Sequence, residues 1–175
     1  MQKPVPPRSV NFFLILFAIL ALAGFVLYFQ KPTRQVERVP GFTLQKFDGT
    51  IIRSENLHGR PIVMNFWASW CEPCRWEMPG IEKVYQEYKD KGLVVLGVHR
   101  TETENKEVGE KFAKSLGITY ELVSDPKNRL FDYFGGGSQV IPITVFINRE
   151  GFVEVKVIGP RSEPEFRALV EKIIK

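Results

Sequence analysis

The chain has 175 residues, of which 44% are hydrophobic, and a formal net charge of +4. This length and composition predict one domain of ordinary size with a packed core, plus an extra segment. Without Lys3 and Arg8, which precede an apolar segment near the N-terminus, 22 of the 24 basic residues stand against 20 acidic ones. So balanced a surface argues against nucleic acid as a partner.

Residues 12–29 form an uncharged stretch rich in Phe, Leu, Ile and Ala. As a helix this stretch would span roughly 27 Å, near the thickness of a bilayer core. A cleaved signal peptide is the alternative, because residues 21–23 (Ala-Leu-Ala) offer a small-x-small cleavage site. The apolar run continues past that site, so we expect an uncleaved single-pass anchor within residues 1–30. Basic residues on both sides of the anchor leave its orientation open.

A polar linker over residues 31–40 precedes a domain predicted to cover residues 41–175. Asp48-Gly49 is a hairpin turn signal, and Ser162-x-x-Glu165 is a capping box that starts the last helix. The predicted order is β-α-β-α-β-β-α after an N-terminal hairpin. In chain order we predict a hairpin of strands 42–47 and 50–53, a buried strand at 62–66, a helix at 71–91, a buried strand at 93–98, a helix at 106–116, a short strand at 120–123, a helical turn at 129–134, a flexible loop at 135–138, a hairpin of strands 143–148 and 153–158, and the last helix.

The two cysteines of the chain, Cys71 and Cys74, stand where the strand at 62–66 gives way to a helix. Two thiols at this spacing can close as a disulfide and reopen. At a helix N-terminus the first thiol feels the positive end of the helix dipole, which favours the thiolate. A zinc site would need further ligands, and neither His58 nor His99 has paired metal-ligand spacing with the cysteines. The pattern therefore predicts a redox-active dithiol.

The two thiols are expected to have different roles. Cys71 precedes the helix and should be the more exposed thiol, so we predict that it attacks and that Cys74 resolves the mixed disulfide. Pro73 suits the first turn, where proline costs no hydrogen bond. Glu72 places a carboxylate between the thiols, where it either opposes thiolate formation or is a solvated first-turn residue stabilised by the helix dipole.

Residues 66–74, Phe-Trp-Ala-Ser-Trp-Cys-Glu-Pro-Cys, resemble the active-site segment of thioredoxin-like proteins. Residues 75–79, Arg-Trp-Glu-Met-Pro, continue this segment as in the membrane-anchored TlpA/ResA branch. The resemblance runs from about Pro40 to the C-terminus and includes residues 56–61 and 140–151. It implies an α/β, thioredoxin-like fold, with a central mixed sheet, helices on both faces and an N-terminal β-hairpin, preceded here by one transmembrane helix.

The resemblance also implies a substrate-binding loop opposite the dithiol. Pro142 matches the cis-proline of this fold, so Ile141 and Pro142 would offer backbone hydrogen bonds to a bound chain. The family usually has threonine after this proline, whereas Ile143 stands there in this chain. We also assign Trp70 to substrate binding. Trp67 and Trp70 are expected to pack around the dithiol, with an ordinary core position as the alternative.

Glu77 lies at i+3 from Cys74, on the same helical face. In the resembling reductases a glutamate at this motif position tunes the cysteines and helps in proton transfer, and an ordinary surface glutamate is the alternative. Asn65 occupies the place where thioredoxins proper carry a buried aspartate, so that proton-shuttle route is absent.

Four further polar residues follow the strand at 93–98, at the sheet edge where α/β proteins bind ligands. Each is expected to be a solvated loop residue, although it could border the dithiol. They are His99, Arg100, Glu102 and Glu104.

The resemblance implies a membrane-anchored, extracytoplasmic thiol–disulfide oxidoreductase that reduces protein disulfides, with its N-terminus in the cytoplasm and its domain on the periplasmic side of the inner membrane. Its partners would be protein thiols and disulfides, apocytochromes c before haem attachment among them, and a membrane thiol reductant. The Cys71–Cys74 disulfide would need no cofactor and no metal.

One alternative function is that of a peroxide-reducing redoxin, although that chemistry requires a single peroxidatic cysteine in a Pro-rich loop. The other is a copper-delivery protein of related fold, with His99 as the only candidate nitrogen donor.

Overall fold

The computed structural model describes residues 9–29 and 37–175. The N-terminal tip at 1–8 and the first part of the predicted linker, at 31–36, lie outside the described residues. The chain divides into two compact units, Met1–Gln35 and Val36–Lys175. The first unit contains helix α1, Ser9–Phe29.

Over the residues that the structure describes, no helix is both long enough and apolar enough to cross a membrane. The transmembrane helix predicted at 12–29 is therefore not confirmed, and it stays a prediction.

The second unit is built on one seven-stranded mixed sheet. Its strand order is β2-β1-β5-β4-β3-β6-β7. Strands β3, β4 and β5 run parallel, and the remaining pairs are antiparallel. The strands are β1 Thr43–Lys46, β2 Ile51–Arg53, β3 Ile62–Trp67, β4 Val94–His99, β5 Glu121–Ser124, β6 Ile143–Ile147 and β7 Val153–Ile158.

Helices cover both faces of this sheet, as predicted. They are α2 Glu72–Tyr88, α3 Lys106–Ser115, α4 Arg129–Gly135 and α5 Glu163–Ile173. Successive side chains of a strand point to opposite faces. Trp67 of β3 stacks on Phe112 of α3, whereas its neighbour Phe66 packs against Phe131 and Phe134 of α4. Helix α4 therefore lies on the face opposite α3.

Every residue of β3 and β4 is buried, as the continuous apolar runs predict for strands covered on both sides. The capping box of α5 is present: the Ser162 backbone N–H donates to the Glu165 carboxylate over 2.9 Å. The short strand predicted at 120–123 and the helical turn predicted at 129–134 are present as β5 and α4. The order after the hairpin is therefore β-α-β-α-β-α-β-β-α, one strand and one helix longer than the predicted order.

The end of the predicted linker contacts the domain. The Val39 N–H donates to the Gly151 carbonyl over 3.0 Å, and the Val153 N–H donates to the Glu37 carbonyl over 2.8 Å. Residues 37–39 therefore run beside the turn between β6 and β7.

Candidate active site

The dithiol stands at the junction of β3 and α2. Cys71 is the N-cap of α2, with an extended backbone, and Cys74 lies in the first helical turn. The two sulfurs are joined in a disulfide, and the Cα atoms are 5.3 Å apart. The Cys74 N–H donates to the Cys71 sulfur over 3.2 Å. Cys71 keeps 4% of its surface exposed and Cys74 none, so the less buried of the two cysteines is also the one whose sulfur accepts a hydrogen bond at the helix N-terminus.

Glu72 and Pro73 lie on the exposed side of the first turn. The Glu72 side chain is 83% exposed, and its Oε2 lies 3.5 Å from Nε of Arg75. Exposed ion pairs of this kind contribute little to stability, because water screens them. Water and the neighbouring Arg75 cation therefore both weaken the electrostatic effect of the Glu72 charge on the dithiol.

Glu77 is buried, which excludes the surface alternative. Its Oε1 accepts a hydrogen bond from Nδ2 of Asn65 over 2.7 Å, and its Oε2 accepts one from the Arg161 N–H over 3.1 Å. Burial raises the pKa of Glu77 from 4.5 to about 7, although both hydrogen bonds favour the carboxylate. This side chain therefore takes up and releases a proton near neutral pH, one helical turn beyond Cys74.

Asn65 links three elements around the dithiol, a role that the sequence analysis did not predict. Its Nδ2 donates to Oγ1 of Thr144 over 3.0 Å as well as to Glu77, so one amide joins β3 to both α2 and β6. The sequence carried a signal: an amide in an otherwise apolar buried strand needs a hydrogen-bonding partner. The buried carboxyl beside the dithiol is therefore Glu77 of α2, whereas thioredoxins proper carry an aspartate at the place of Asn65 on β3.

The predicted cis-proline is present, because the Ile141–Pro142 peptide bond is cis. Ile141 is buried, and Pro142 is followed directly by β6. Strand β6 starts with Ile143, which pairs with Phe66 near the end of β3. The register therefore brings the proline loop to the sheet edge from which the dithiol turn also emerges.

The two tryptophans before the dithiol have different surroundings. Trp67 is fully buried against Phe112 and His99, so the core alternative holds for this residue. Trp70 is 55% exposed, and its Nε1 lies 3.3 Å from Oγ1 of Thr103. Of the two, only Trp70 offers a surface to a partner, and its assignment to substrate binding stays a prediction.

The expectation that the polar residues from 99 to 104 are solvated is wrong for Arg100, which is buried. Its guanidinium lies 3.6 Å from the centroid of the Phe131 ring, a cation–π contact. Its Nη2 donates to Oε1 of Gln139 over 2.9 Å, and its Nε contacts Glu102. Gln139 stands three residues before Pro142, so Arg100 ties the end of β4 to the proline loop.

The same expectation is wrong for His99 and Glu104. His99 is buried, and its Nε2 lies 2.7 Å from Oε1 of Glu104. Oε1 also accepts the Ser69 N–H over 2.6 Å, and Oε2 contacts the Ser69 hydroxyl. Burial lowers the pKa of His99, which favours the neutral ring. Burial by itself raises the pKa of Glu104, but the hydrogen bonds from Ser69 outweigh it and the pKa lies below its usual value.

Within the described part of the chain, no group of three or more His, Cys, Asp or Glu side chains is placed to hold a metal ion. The Nε2 atom of His99, the candidate nitrogen donor for copper, lies against Glu104.

Residues 36–156 match the model of the AhpC/TSA family. The chain belongs to this family. It is 27% identical to the thiol-disulfide oxidoreductase ResA of Bacillus cereus over 165 residues, which cover 91% of this chain and 93% of that protein.

Solved structures agree with the sequence comparison. A thioredoxin-family thiol:disulfide interchange protein from Chlorobium tepidum superposes with a TM-score of 0.70 and 27% identity, covering 81% of this chain and 98% of its own. StoA from Bacillus subtilis gives a TM-score of 0.64 and 27% identity, covering 76% and 98% respectively. The domain is thus a thioredoxin-like thiol-disulfide oxidoreductase of the ResA/StoA type, with a Cys71–Cys74 pair.

The buried carboxyl predicts a pH-dependent stability. The unfolded chain releases the Glu77 proton near pH 4.5 and the folded chain near pH 7. Between these values the folded state binds more protons, so the stabilisation is complete below about pH 4.5 and is lost as the pH rises through 7. The loss amounts to roughly 3 kcal/mol in the free energy of unfolding.

The measurement is urea unfolding of the oxidised protein between pH 5 and 8, compared with Glu77→Gln. His99 has the opposite effect, because its lowered pKa in the folded state makes the free energy of unfolding rise with pH. This contribution is common to both proteins, so the difference between them isolates Glu77. We expect this difference to change by roughly 2.5 kcal/mol between pH 5 and 8, because part of the full effect lies outside this range. A difference that stays constant with pH would contradict the raised pKa.

Proposed function

We propose that this protein is an extracytoplasmic, membrane-anchored reductase of protein disulfides. The observation that carries the proposal is the disulfide at the N-terminus of α2, backed one turn later by a buried carboxyl with a pKa of about 7. A sulfur at a helix N-terminus is stabilised as thiolate, and a carboxyl that titrates near neutrality exchanges protons with a buried thiol.

The exchange proceeds in two steps. The Cys71 thiolate attacks one sulfur of the substrate disulfide, forming a mixed disulfide and releasing the other sulfur as a thiolate that takes a proton from water. Cys74 then loses its proton to the Glu77 carboxylate and attacks the Cys71 sulfur, which breaks the mixed disulfide and releases the second substrate sulfur as a thiolate. This thiolate takes a proton from water, and Glu77 returns its own proton to water. The substrate gains two electrons and two protons, and the protein is left as the Cys71–Cys74 disulfide. A membrane thiol reductant restores the dithiol, so no cofactor enters the cycle.

The order of attack predicts which variant traps a substrate. Cys74→Ser keeps the attacking thiol but cannot resolve the mixed disulfide, so it should accumulate covalent complexes with a disulfide-containing substrate. Cys71→Ser should accumulate none, because the remaining thiol is fully buried. Non-reducing gels and mass spectrometry of the two variants decide this. Trapping by Cys71→Ser alone would reverse the assignment.

The proposed direction of electron flow is reduction of the substrate. Glu72 places negative charge beside the thiols, and a less stabilised thiolate makes the reduced form the better electron donor. The exposure of Glu72 and its contact with Arg75 weaken this effect. Glu77 adds only part of a charge at neutral pH, because its pKa is about 7.

The reduction potential tests this direction. We expect a value nearer that of thioredoxin, about −270 mV, than that of a strong oxidant, about −120 mV. Glu72→Gln should raise the potential by roughly 10 mV, since an exposed charge contributes well under 1 kcal/mol. Glu150→Gln, an exposed substitution in the turn between β6 and β7, is the matched control and should change nothing. A wild-type potential above roughly −180 mV would favour an oxidase or isomerase instead.

The proposed location follows from the N-terminal segment. Residues 12–29 are uncharged and apolar over a length near that of a bilayer core, and disulfide chemistry suits a compartment where disulfides persist. The residues before this segment would stay in the cytoplasm and the domain would act on the periplasmic side of the inner membrane. The substrates proposed there are protein disulfides, apocytochromes c among them.

The anchor is tested by fractionation. Intact-mass analysis of the membrane fraction should find residues 12–29 retained, because the apolar run continues beyond the small-x-small site at 21–23. A variant that lacks residues 1–30 should appear in the soluble fraction and keep its dithiol activity. A soluble extracytoplasmic wild-type form beginning at Gly24 would contradict the anchor.

A further inference from the structure

The loop that follows β4 reaches back to the turn that carries the dithiol. Glu104 accepts two hydrogen bonds from Ser69: the backbone N–H reaches Oε1 over 2.6 Å, and the hydroxyl contacts Oε2. Ser69 lies inside the turn closed by the Cys71 N–H, which donates to the Ala68 carbonyl over 3.2 Å. A single carboxylate therefore holds both donors of a residue two positions before Cys71.

Glu104 is itself held by a buried histidine. The Nε2 of His99 lies 2.7 Å from Oε1 of Glu104, and since Oε1 only accepts, the hydrogen must be on Nε2. His99 pairs in register with Trp67, and the two ring centroids are 4.9 Å apart. The imidazole thus connects the end of β4 to Glu104, in the loop that contacts the dithiol turn.

The space for this imidazole depends on a glycine in another helix. A Cβ atom added to Gly109 of α3 would lie 2.4 Å from Nε2 of His99, well inside any normal contact. Glycine within a helix costs about 1 kcal/mol relative to alanine. Its presence at this buried position leaves room for the His99–Glu104 contact.

We propose that Glu104 is a positioning residue, which fixes the Ser69 turn and thereby the placement of the Cys71 sulfur against the Cys74 N–H. This N–H donates to the sulfur over 3.2 Å at the helix N-terminus, an arrangement that stabilises the thiolate only while the geometry is kept. Loss of Glu104 would leave two Ser69 donors without their acceptor and free the turn to move. The inference rests on the proposed function in one respect, that Cys71 is the attacking thiol.

A glutamine at position 104 separates placement from charge. Its carbonyl oxygen can accept from the Ser69 N–H and from Nε2 of His99, as Oε1 does now. Its amide can donate to the Ser69 hydroxyl, because a hydroxyl accepts as well as donates. Glu104→Gln therefore keeps all three hydrogen bonds and removes only the charge, whereas Glu104→Ala removes both.

The experiment measures the rate of iodoacetamide alkylation of Cys71 against pH in the reduced full-length protein, with the modified cysteine located by mass spectrometry. For Glu104→Ala we expect about a tenfold smaller thiolate fraction at acidic pH than in Glu104→Gln, the scale of one lost hydrogen bond to a charged group. Glu104→Gln should match the wild type or show a slightly larger thiolate fraction, because it removes a nearby negative charge. Equal profiles in the two variants would overturn the proposal.

A second variant keeps the proposal testable if Glu104→Ala does not fold. Gly109→Ala leaves the dithiol turn and Glu104 untouched but displaces the His99 ring, and alanine is the better helix former. We expect its Cys71 profile to shift in the direction of Glu104→Ala by a smaller factor. An unchanged profile would show that His99 does not hold Glu104 in place, which contradicts the arrangement proposed.

The wild-type profile separates this inference from the proposed function. If Cys74 rather than Cys71 is alkylated first in the wild type, the proposed order of exchange fails whatever the variants do. If Cys71 is alkylated first but Glu104→Ala and Glu104→Gln behave alike, only the positioning role fails.

Discussion

One buried carboxyl connects most of the structural elements around the dithiol. Glu77 of α2 accepts hydrogen bonds from Asn65 on β3 and from the backbone of Arg161, just before α5, and Asn65 also donates to Thr144 on β6. Strand β3 is covered on both faces, so this polar contact is formed without bulk water. The same burial that fixes the carboxyl raises its pKa into the neutral range.

A second acidic residue near the dithiol is shifted the other way. The pKa of Glu104 lies below its usual value because Ser69 donates to both carboxylate oxygens and His99 adds a third contact, which outweighs the effect of burial. Glu77 has fewer donors and deeper burial. Differences in desolvation and donor number thus give two glutamates near the same cysteine pair separate tasks. In the account proposed here Glu104 stays charged and holds a turn, whereas Glu77 exchanges a proton.

Much of the fold could be predicted from local patterns in the sequence. Continuous apolar runs located β3 and β4, the Ser162–Glu165 capping box located the start of α5, and the Cys71–Cys74 spacing located the dithiol. These features depend on residues close together in the chain. The predicted segments at 120–123 and 129–134 also match β5 and α4 to within one residue at each end, although both elements are short.

The surroundings of the dithiol were harder to predict, because they depend on contacts between distant segments. His99 is buried since Gly109, ten residues later, leaves space for its ring. Arg100 is buried since Phe131 and Gln139 receive its guanidinium. A polar or charged residue at the end of a strand is usually solvated, and no local pattern distinguishes these two from that common case.

The titration of the Glu77 carboxyl tests the central claim most directly. Carbon-13 NMR of the Glu77 side-chain carboxyl in the oxidised protein, assigned by its disappearance in Glu77→Gln, would follow the group from pH 3 to 9. Burial against Asn65 and the Arg161 N–H predicts a midpoint near pH 7. A midpoint near 4.5, the ordinary value for a glutamate, would contradict a buried proton-exchanging carboxyl behind the dithiol.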